Sequence, residues 1–398
     1  MPFYRRQGEI PRKRHTAFRK KDGSLYFEEL ISREGFSGVY SNLYHLAMPT
    51  RVKAVGAFQP STDALSSEAI HRPRHVKTAD VRSSGDFVNS RRLLFFNSDV
   101  RIHKAHPTEN SKSFHRNGHH DELIFVHRGR GTLLSQFGAL EFTTGDYLVI
   151  PRGVVSQVLL KEDPGSPASF LIVESASPIQ TPRRYRNAFG QLLEHSPFCE
   201  RDIRTPELAA PRSEAGEFEI LVRLRNGRQK YVYDHHPFDV VGWDGYLFPW
   251  AFNIRDFEPI VGRIHQPPPI HQTFEGGGFV VCSFVSRPFD FHPDAIPAPY
   301  PHSNVDSDEI LFYSEGEFMS RTGIAPESIT HHPMGLAHGP QPGKYEESIG
   351  KKSTEELAVM IDTFAPLSVA QDAALVEDTE YASSWIPKAE KRNGKKEI

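Results

Sequence analysis

His115-Arg-Asn-Gly-His-His-Asp-Glu-Leu-Ile-Phe125 and His302-Ser-Asn-Val-Asp-Ser-Asp-Glu-Ile-Leu-Phe312 are two copies of one pattern, H-x-N-x3-D-E-[LI]-[IL]-F. Each copy runs on to a glycine, Gly129 or Gly316, seven residues past its Glu. Downstream, the first copy reads Pro151-Arg-Gly-Val-Val-Ser156 and the second Pro333-Met-Gly-Leu-Ala-His338. A duplicated unit fixes the architecture before any finer reading, so two similar barrels are expected. The copies differ where it matters chemically: the second has His338 where the first has Ser156.

Around both copies the chain reads as short apolar runs broken by Gly, Pro, Asn and Asp. Leu93–Phe96, Leu123–Val126, Gly131–Ser135, Leu140–Phe142 and Tyr147–Ile150 are strand candidates before residue 180. Glu219–Arg223, Lys230–Tyr233, Phe279–Val285 and Glu309–Tyr313 follow after it. Leu25–Leu30 and Gly38–Tyr44 read as strands of an N-terminal arm, and the polar stretch from about 60 to 90 as a loop or linker. Ser353-Thr-Glu-Glu-Leu357 has the polar and acidic start of a helix, while the apolar run after it reads equally well as a closing strand. The expected fold is mainly β, two antiparallel jelly-roll barrels with few helices.

Composition narrows the classes. The 398 residues suffice for two cores without covalent staples. Cys199 and Cys282 are the only cysteines, too few for a disulfide framework or a thiolate zinc site, so a metal must be held by His and carboxylate. A net charge of -3 argues against nucleic acid as the main partner, and Arg12–Arg14, Arg19–Lys21 and the tail Lys388–Lys396 read as solvated basic arms. No apolar run approaches the roughly 20 residues of a membrane span, and Met1–Arg6 shows no leader-type apolar segment. The expectation is a cytoplasmic protein that binds neither membrane nor nucleic acid.

His302, Glu309 and His338 have the composition of a two-histidine, one-carboxylate site, which leaves coordination positions open on non-haem Fe(II); Mn and Zn suit the same donors. Residues an even number apart share a strand face, so the seven-residue step from His302 to Glu309 requires a turn, which Asn304 to Ser307 can supply. The first copy keeps His115 and Glu122 but ends on Ser156, which makes it a metal-free remnant unless His119 or His120 supplies the third ligand. Between the copies, Arg263-Ile-His265-Gln-Pro-Pro-Pro-Ile-His271 presents two histidines on a proline-stiffened segment, either of which can act as general base toward a phenol. His331 and His332 can line the pocket through their closeness to Pro333.

At these residues the chain resembles the homogentisate 1,2-dioxygenase family of bicupins, especially its shorter bacterial branch. The segment Ile10-Pro-Arg-Lys-Arg-His-Thr-Ala-Phe-Arg-Lys-Lys-Asp-Gly-Ser-Leu-Tyr26 is similar to that branch, and the likeness runs to about residue 370. The resemblance implies two tandem cupin barrels with the metal in the second. It places residues 1–90 as arm and linker, 91–180 as the N-terminal cupin, 181–370 as connection and C-terminal cupin, and 371–398 as tail. It implies iron on His302, Glu309 and His338 (in His338-Gly-Pro340) and a catalytic base at His265, in the context His265-Gln-Pro-Pro. It also implies a homo-oligomer, trimer or hexamer.

The implied reaction is ring cleavage of homogentisate by O2 to 4-maleylacetoacetate, a step of tyrosine and phenylalanine catabolism. The substrate's phenolate and carboxylate oxygens would bind iron, with Arg263 or Arg287 as further partners for the carboxylate. Two departures bear on the substrate. In longer members the first His and the Glu lie one residue closer, and Phe318 stands where they carry a tyrosine that touches a substrate hydroxyl. Tyr313, Tyr345 or His338 would then contact the substrate. The alternatives are a cupin dioxygenase for a gentisate-like acid, a Mn- or Zn-dependent isomerase, and a non-enzymatic cupin binding protein.

Overall fold

The computed structural model describes residues 3–67, 70–161, 167–316, 318, 320–321 and 323–386; the basic tail from Lys388 lies outside them. The fold is mainly β, two cupin-type jelly rolls preceded by N-terminal strands, with two short α-helices among the described residues, Lys344–Ser348 and Gln371–Ala374. The chain forms two compact units, each drawing on separate stretches: 1–63, 82–92 and 102–256 in the first, and 64–81, 93–101 and 257–398 in the second.

In the first unit one sheet runs Ile203–Arg204, Trp250–Asn253, Asp146–Ile150, Asp121–Arg128, Ser169–Ser175. Its central strands are buried along nearly their whole length, which is why they read as continuous apolar runs rather than an alternation. The other sheet runs Gly138–Phe142, Gly131–Ser135, Val155–Leu160, Phe114–Asn117, Ala215–Leu224, Gly227–His235, Val52–Pro60. Phe114, Val155, Ile220, Val222 and Tyr233 pack together on it. The arm candidates pair as Phe27–Ser32 with Tyr40–His45, which in turn pairs with Val240–Gly245.

The second unit is built on a six-stranded sheet: Gln272–Gly276, Phe279–Phe284, Leu357–Thr363, Asp308–Glu315, Ser328–His332, Arg74–Val76. Two expectations are corrected here. The helix start at Ser353 is a two-residue strand, Ser353–Thr354, followed by the strand Leu357–Thr363. That strand is flanked by hydrogen-bonded partners on both sides, and this pairing outweighs a local preference worth fractions of a kcal/mol per residue. The supposed linker contains the buried strand Arg74–Val76, whose Arg74 is ion-paired to Glu377.

The repeat carries through to register. His115 pairs with Ser156, and His302 with His338. Glu122 lies between Ile150 and Glu174, and Glu309 between His332 and Asp362. The glycine past each Glu has the positive φ of a turn that other residues resist, 107° at Gly129 and 92° at Gly316. At Gly316 a Cβ would meet Glu355 O at 2.4 Å.

Candidate metal centre

His302 opens a two-residue strand, His302–Ser303, that pairs with Ala337–His338, so backbone register sets the two imidazoles side by side with ring centres 4.3 Å apart. Gly339 permits this approach, since a Cβ there would lie 2.7 Å from Pro301 Cα. Glu309 projects from the strand Asp308–Glu315. Its Oε2 lies 3.8 Å from His302 Nε2 and 3.6 Å from His338 Nε2. One ligand atom from each of the three residues falls within 4.8 Å of the others, the only such group of three among the described residues.

The tautomers suit a metal. His302 Nδ1 donates to Tyr300 O and His338 Nδ1 to Leu336 O, each at 3.2 Å, which leaves both Nε2 lone pairs facing Glu309. His338 Nε2 is buried with no hydrogen-bond partner, a polar atom that a cation would satisfy. Two imidazoles and a carboxylate, with room beside them, fit a divalent first-row ion.

A second layer holds Glu309. His332 Nδ1 donates to Glu309 Oε1 at 2.8 Å, and the Tyr381 hydroxyl donates to His332 Nε2 at 3.2 Å. The His332 ring stacks on His338 at 4.5 Å and 11°. Burial pushes His332 down to about 3, so it is a neutral donor. Burial opposes charge on Glu309, yet the imidazoles of His302, His332 and His338 hold it well below the usual carboxylate range. Asp308 fastens the approach to His338: it accepts from Met334 N at 2.8 Å, Leu367 N at 2.9 Å and His331 Nε2 at 3.0 Å.

The triad lines a cavity of about 440 Å³. His265 lies in its wall with 41% of its side chain exposed, 3.8 Å from Asp290. Tyr313 and Phe318 also line it, ring to ring at 4.5 Å, with the Tyr313 hydroxyl taken up by Thr330 at 3.1 Å. Tyr345 stands on the helix Lys344–Ser348, outside the lining. Arg287 is in the wall but engaged with Glu356 at 3.1 Å, and Arg263 is not in it. Sequence reading missed Asp362, which lines the cavity beside Glu309 with Oδ1 buried and unpartnered; burial, then the charge of Glu309, pushes it up to about 8. It also missed Tyr381 and the buried Arg321, which donates to Gly339 O at 2.7 Å.

The first repeat is built differently. Arg91 donates to both oxygens of Glu122, at 2.7 and 2.9 Å, and to Glu174 at 3.2 Å. His103 and Arg223 also contact Glu174, while His115 and Asn117 contact Glu122. His119 accepts from Arg225 N, and neither His119 nor His120 joins a metal-ligating group.

A jelly roll with two histidines and a carboxylate converging on a cavity is a cupin barrel with a candidate metal site. A family model for the N-terminal region of homogentisate 1,2-dioxygenase matches residues 88–254. A protein of Saccharolobus solfataricus, provisionally named a dioxygenase, is 43% identical over 97% of this chain and 99% of its own length. The homogentisate 1,2-dioxygenases of Nitrobacter hamburgensis and Rhodopseudomonas palustris BisB5 are 30% and 28% identical over 66% of this chain, and the match spans 61% of each of those enzymes. The chain belongs to one family with the Saccharolobus protein and is related to the homogentisate 1,2-dioxygenases, and by that kinship it is an oxygenase. Among solved structures, a cupin of Leptotrichia buccalis aligns over 75% of this chain and 100% of its own, with 8% identity and a TM-score of 0.34. An oxalate decarboxylase of Bacillus subtilis aligns over 77% of this chain and 80% of its own, with 11% identity and a TM-score of 0.33.

Proposed function

We propose that this chain is an Fe(II)-dependent ring-cleaving dioxygenase that converts homogentisate and O2 to 4-maleylacetoacetate, both oxygen atoms entering the product. The observation that carries the reading is the triad of His302, Glu309 and His338, with both histidine Nδ1 atoms fixed on backbone carbonyls, opening on a cavity large enough for an aromatic acid. Iron held there supplies open coordination positions for substrate and oxygen and the redox chemistry of ring opening.

The protein's own part is placement and proton handling. Phe284, Leu311, Phe318, Ala358 and Met360 line the cavity, keep water from the ring and hold it in one orientation. His265 accepts the phenol proton, and its exposure lets it pass that proton to solvent. His332, held by Tyr381, keeps Glu309 oriented and ionised. The same reading includes a role in aromatic amino-acid catabolism, a cytoplasmic location and a homo-oligomeric assembly.

A second substrate, a gentisate-like hydroxylated aromatic acid, is favoured by Phe318, which presents a ring and no hydroxyl to the cavity. The deciding experiment is anaerobic Fe(II) reconstitution followed by oxygen uptake with each acid, with product followed by ultraviolet absorbance. Uptake with homogentisate is expected. Uptake with gentisate alone would replace the substrate, and no uptake with any dihydroxyphenyl acid would refute the enzymatic reading.

A further inference from the structure

His271 ends the 3-10 turn Pro268–His271, where prolines at the first positions stiffen the backbone, and leads into the strand Gln272–Gly276. The residue is 6% exposed, yet it lines the cavity. Its carbonyl accepts from Thr273 Oγ1 at 3.2 Å, and that hydroxyl also bonds Ser283 at 2.6 Å, so the backbone is pinned. The ring has no such anchor. Nδ1 is buried without a partner, and neither ring nitrogen is hydrogen-bonded to any described residue. A buried imidazole left unsatisfied in a cavity wall calls for a group that arrives with the ligand.

Its surroundings say which group. The His271 ring packs on Phe284 at 4.7 Å, and Phe284 packs on the cluster of Tyr313, Phe318 and Ala358. With the Tyr313 hydroxyl committed to Thr330, the aromatic face here offers no polar group of its own beside His271. Arg287 stands nearby, but Glu356 already balances its charge at 3.1 Å, so the corner offers no free cation to a carboxylate. Burial, then the charge of Arg287, pushes His271 down to about 3, which keeps it neutral. A neutral imidazole offers one donor and one acceptor, the complement of a hydroxyl, which also gives one hydrogen bond and takes one.

We infer that His271 is a specificity-determining residue that hydrogen-bonds an uncharged ring hydroxyl of the substrate, on the apolar wall formed with Phe284 and Phe318. The inference rests on the aromatic-acid reading above. It assigns His271 a role separate from proton removal by His265 and from the triad.

The test is anaerobic calorimetric titration of the iron-loaded chain with homogentisate and with 2-hydroxyphenylacetate, which lacks the second ring hydroxyl. The wild type is expected to prefer homogentisate by about tenfold or more, the effect of leaving one buried polar group unpaired. His271→Phe, which keeps a ring and loses the hydrogen bond, should bring the two acids to within about twofold. His271→Leu serves if that variant does not fold. His271→Gln, which can still donate and accept, should retain most of the preference. An unchanged preference in His271→Phe or His271→Leu overturns the inference, as does a wild type that binds both acids alike. A wild type that binds neither acid overturns the aromatic-acid reading and the inference with it.

Discussion

Glu122 and Glu309 hold the same register in the two repeats, each seven residues after a histidine and each beside a second carboxylate, Glu174 or Asp362. Around Glu122 the balancing charge comes from the chain's own side chains: Arg91 bridges Glu122 and Glu174, and Arg223 adds a second cation. Around Glu309 the neighbours are imidazoles, and Asp362 has no hydrogen bond on its buried Oδ1. One repeat has its cation built in, and the other has a candidate site for one. Besides Arg223, the difference turns on Arg91, Ser156 against His338, and Ile150 against His332. By contrast, the Asp preceding each Glu keeps one structural task. Asp121 accepts from Arg152 N and Ile179 N as Asp308 accepts from Met334 N and Leu367 N.

The largest effect should separate the repeats most sharply. His338→Ala should lose bound iron and lower oxygen uptake by about three orders of magnitude, because the proposed chemistry depends on the metal. His115→Ala should leave metal content and uptake within about twofold of wild type, since Glu122 keeps Arg91. Metal analysis beside oxygen-electrode rates checks both, and equal losses in the two variants would erase the distinction.

Next is the fixed cation. Arg91→Ala leaves Glu122 buried without its guanidinium and removes one of the two cations on Glu174, and should cost about 3–5 kcal/mol in urea denaturation. Asp362→Asn, which removes an uncompensated carboxyl, should change stability by less than about 1 kcal/mol. A small loss in the first and a large one in the second would reverse the contrast.

Two buried histidines extend the comparison to pH. His332 faces one carboxylate and stays neutral, whereas His45 faces two, at 2.7 Å from Asp239 and 3.1 Å from Glu29. Burial alone would lower His45, but those two carboxylates raise it to about 9. Because the folded value lies above the ordinary 6.5, its stabilisation is full below about pH 6.5 and is lost as pH rises through 9. The expected contribution is roughly 3 kcal/mol. Stability should therefore fall between pH 6 and pH 9.5 in wild type, and much less in His45→Gln.

What the sequence makes legible is what lies close along the chain. The repeat, most strands and the two parts of the triad are patterns within a dozen residues, and register joins the parts. Arg91 lies 31 residues from Glu122 and 83 from Glu174, and Tyr381 lies 49 from His332, so nothing local marks them as partners. An arginine before Leu93-Leu-Phe-Phe96 reads as the polar edge of a strand until the fold turns it inward. The strand Arg74–Val76 was hidden for the same reason, its Arg74 finding Glu377 across 303 residues. Ser353 to Leu357 misled in the opposite sense: its acidic residues suit a helix start but serve a connection whose outcome is decided by pairing with distant strands.

The smallest predicted effect tests whether Ser156 or Arg91 is what keeps the first repeat apart. Ser156→His restores the missing imidazole at the position that pairs with His115. If a lacking ligand were the only barrier, this change would add a second bound metal. Arg91 argues otherwise, because both Glu122 oxygens are already donated to, and a metal would have to displace a buried guanidinium from two carboxylates. The single variant is therefore expected to keep one metal per chain, with stability within about 1 kcal/mol of wild type. Only Arg91→Ala combined with Ser156→His should approach two, and the added metal should recover part of the stability that Arg91→Ala loses, since a bound ion stabilises the state that binds it. Metal analysis of the single and double variants separates the cases: two metals in Ser156→His alone would show that the arginine yields and that the serine is what distinguishes the repeats.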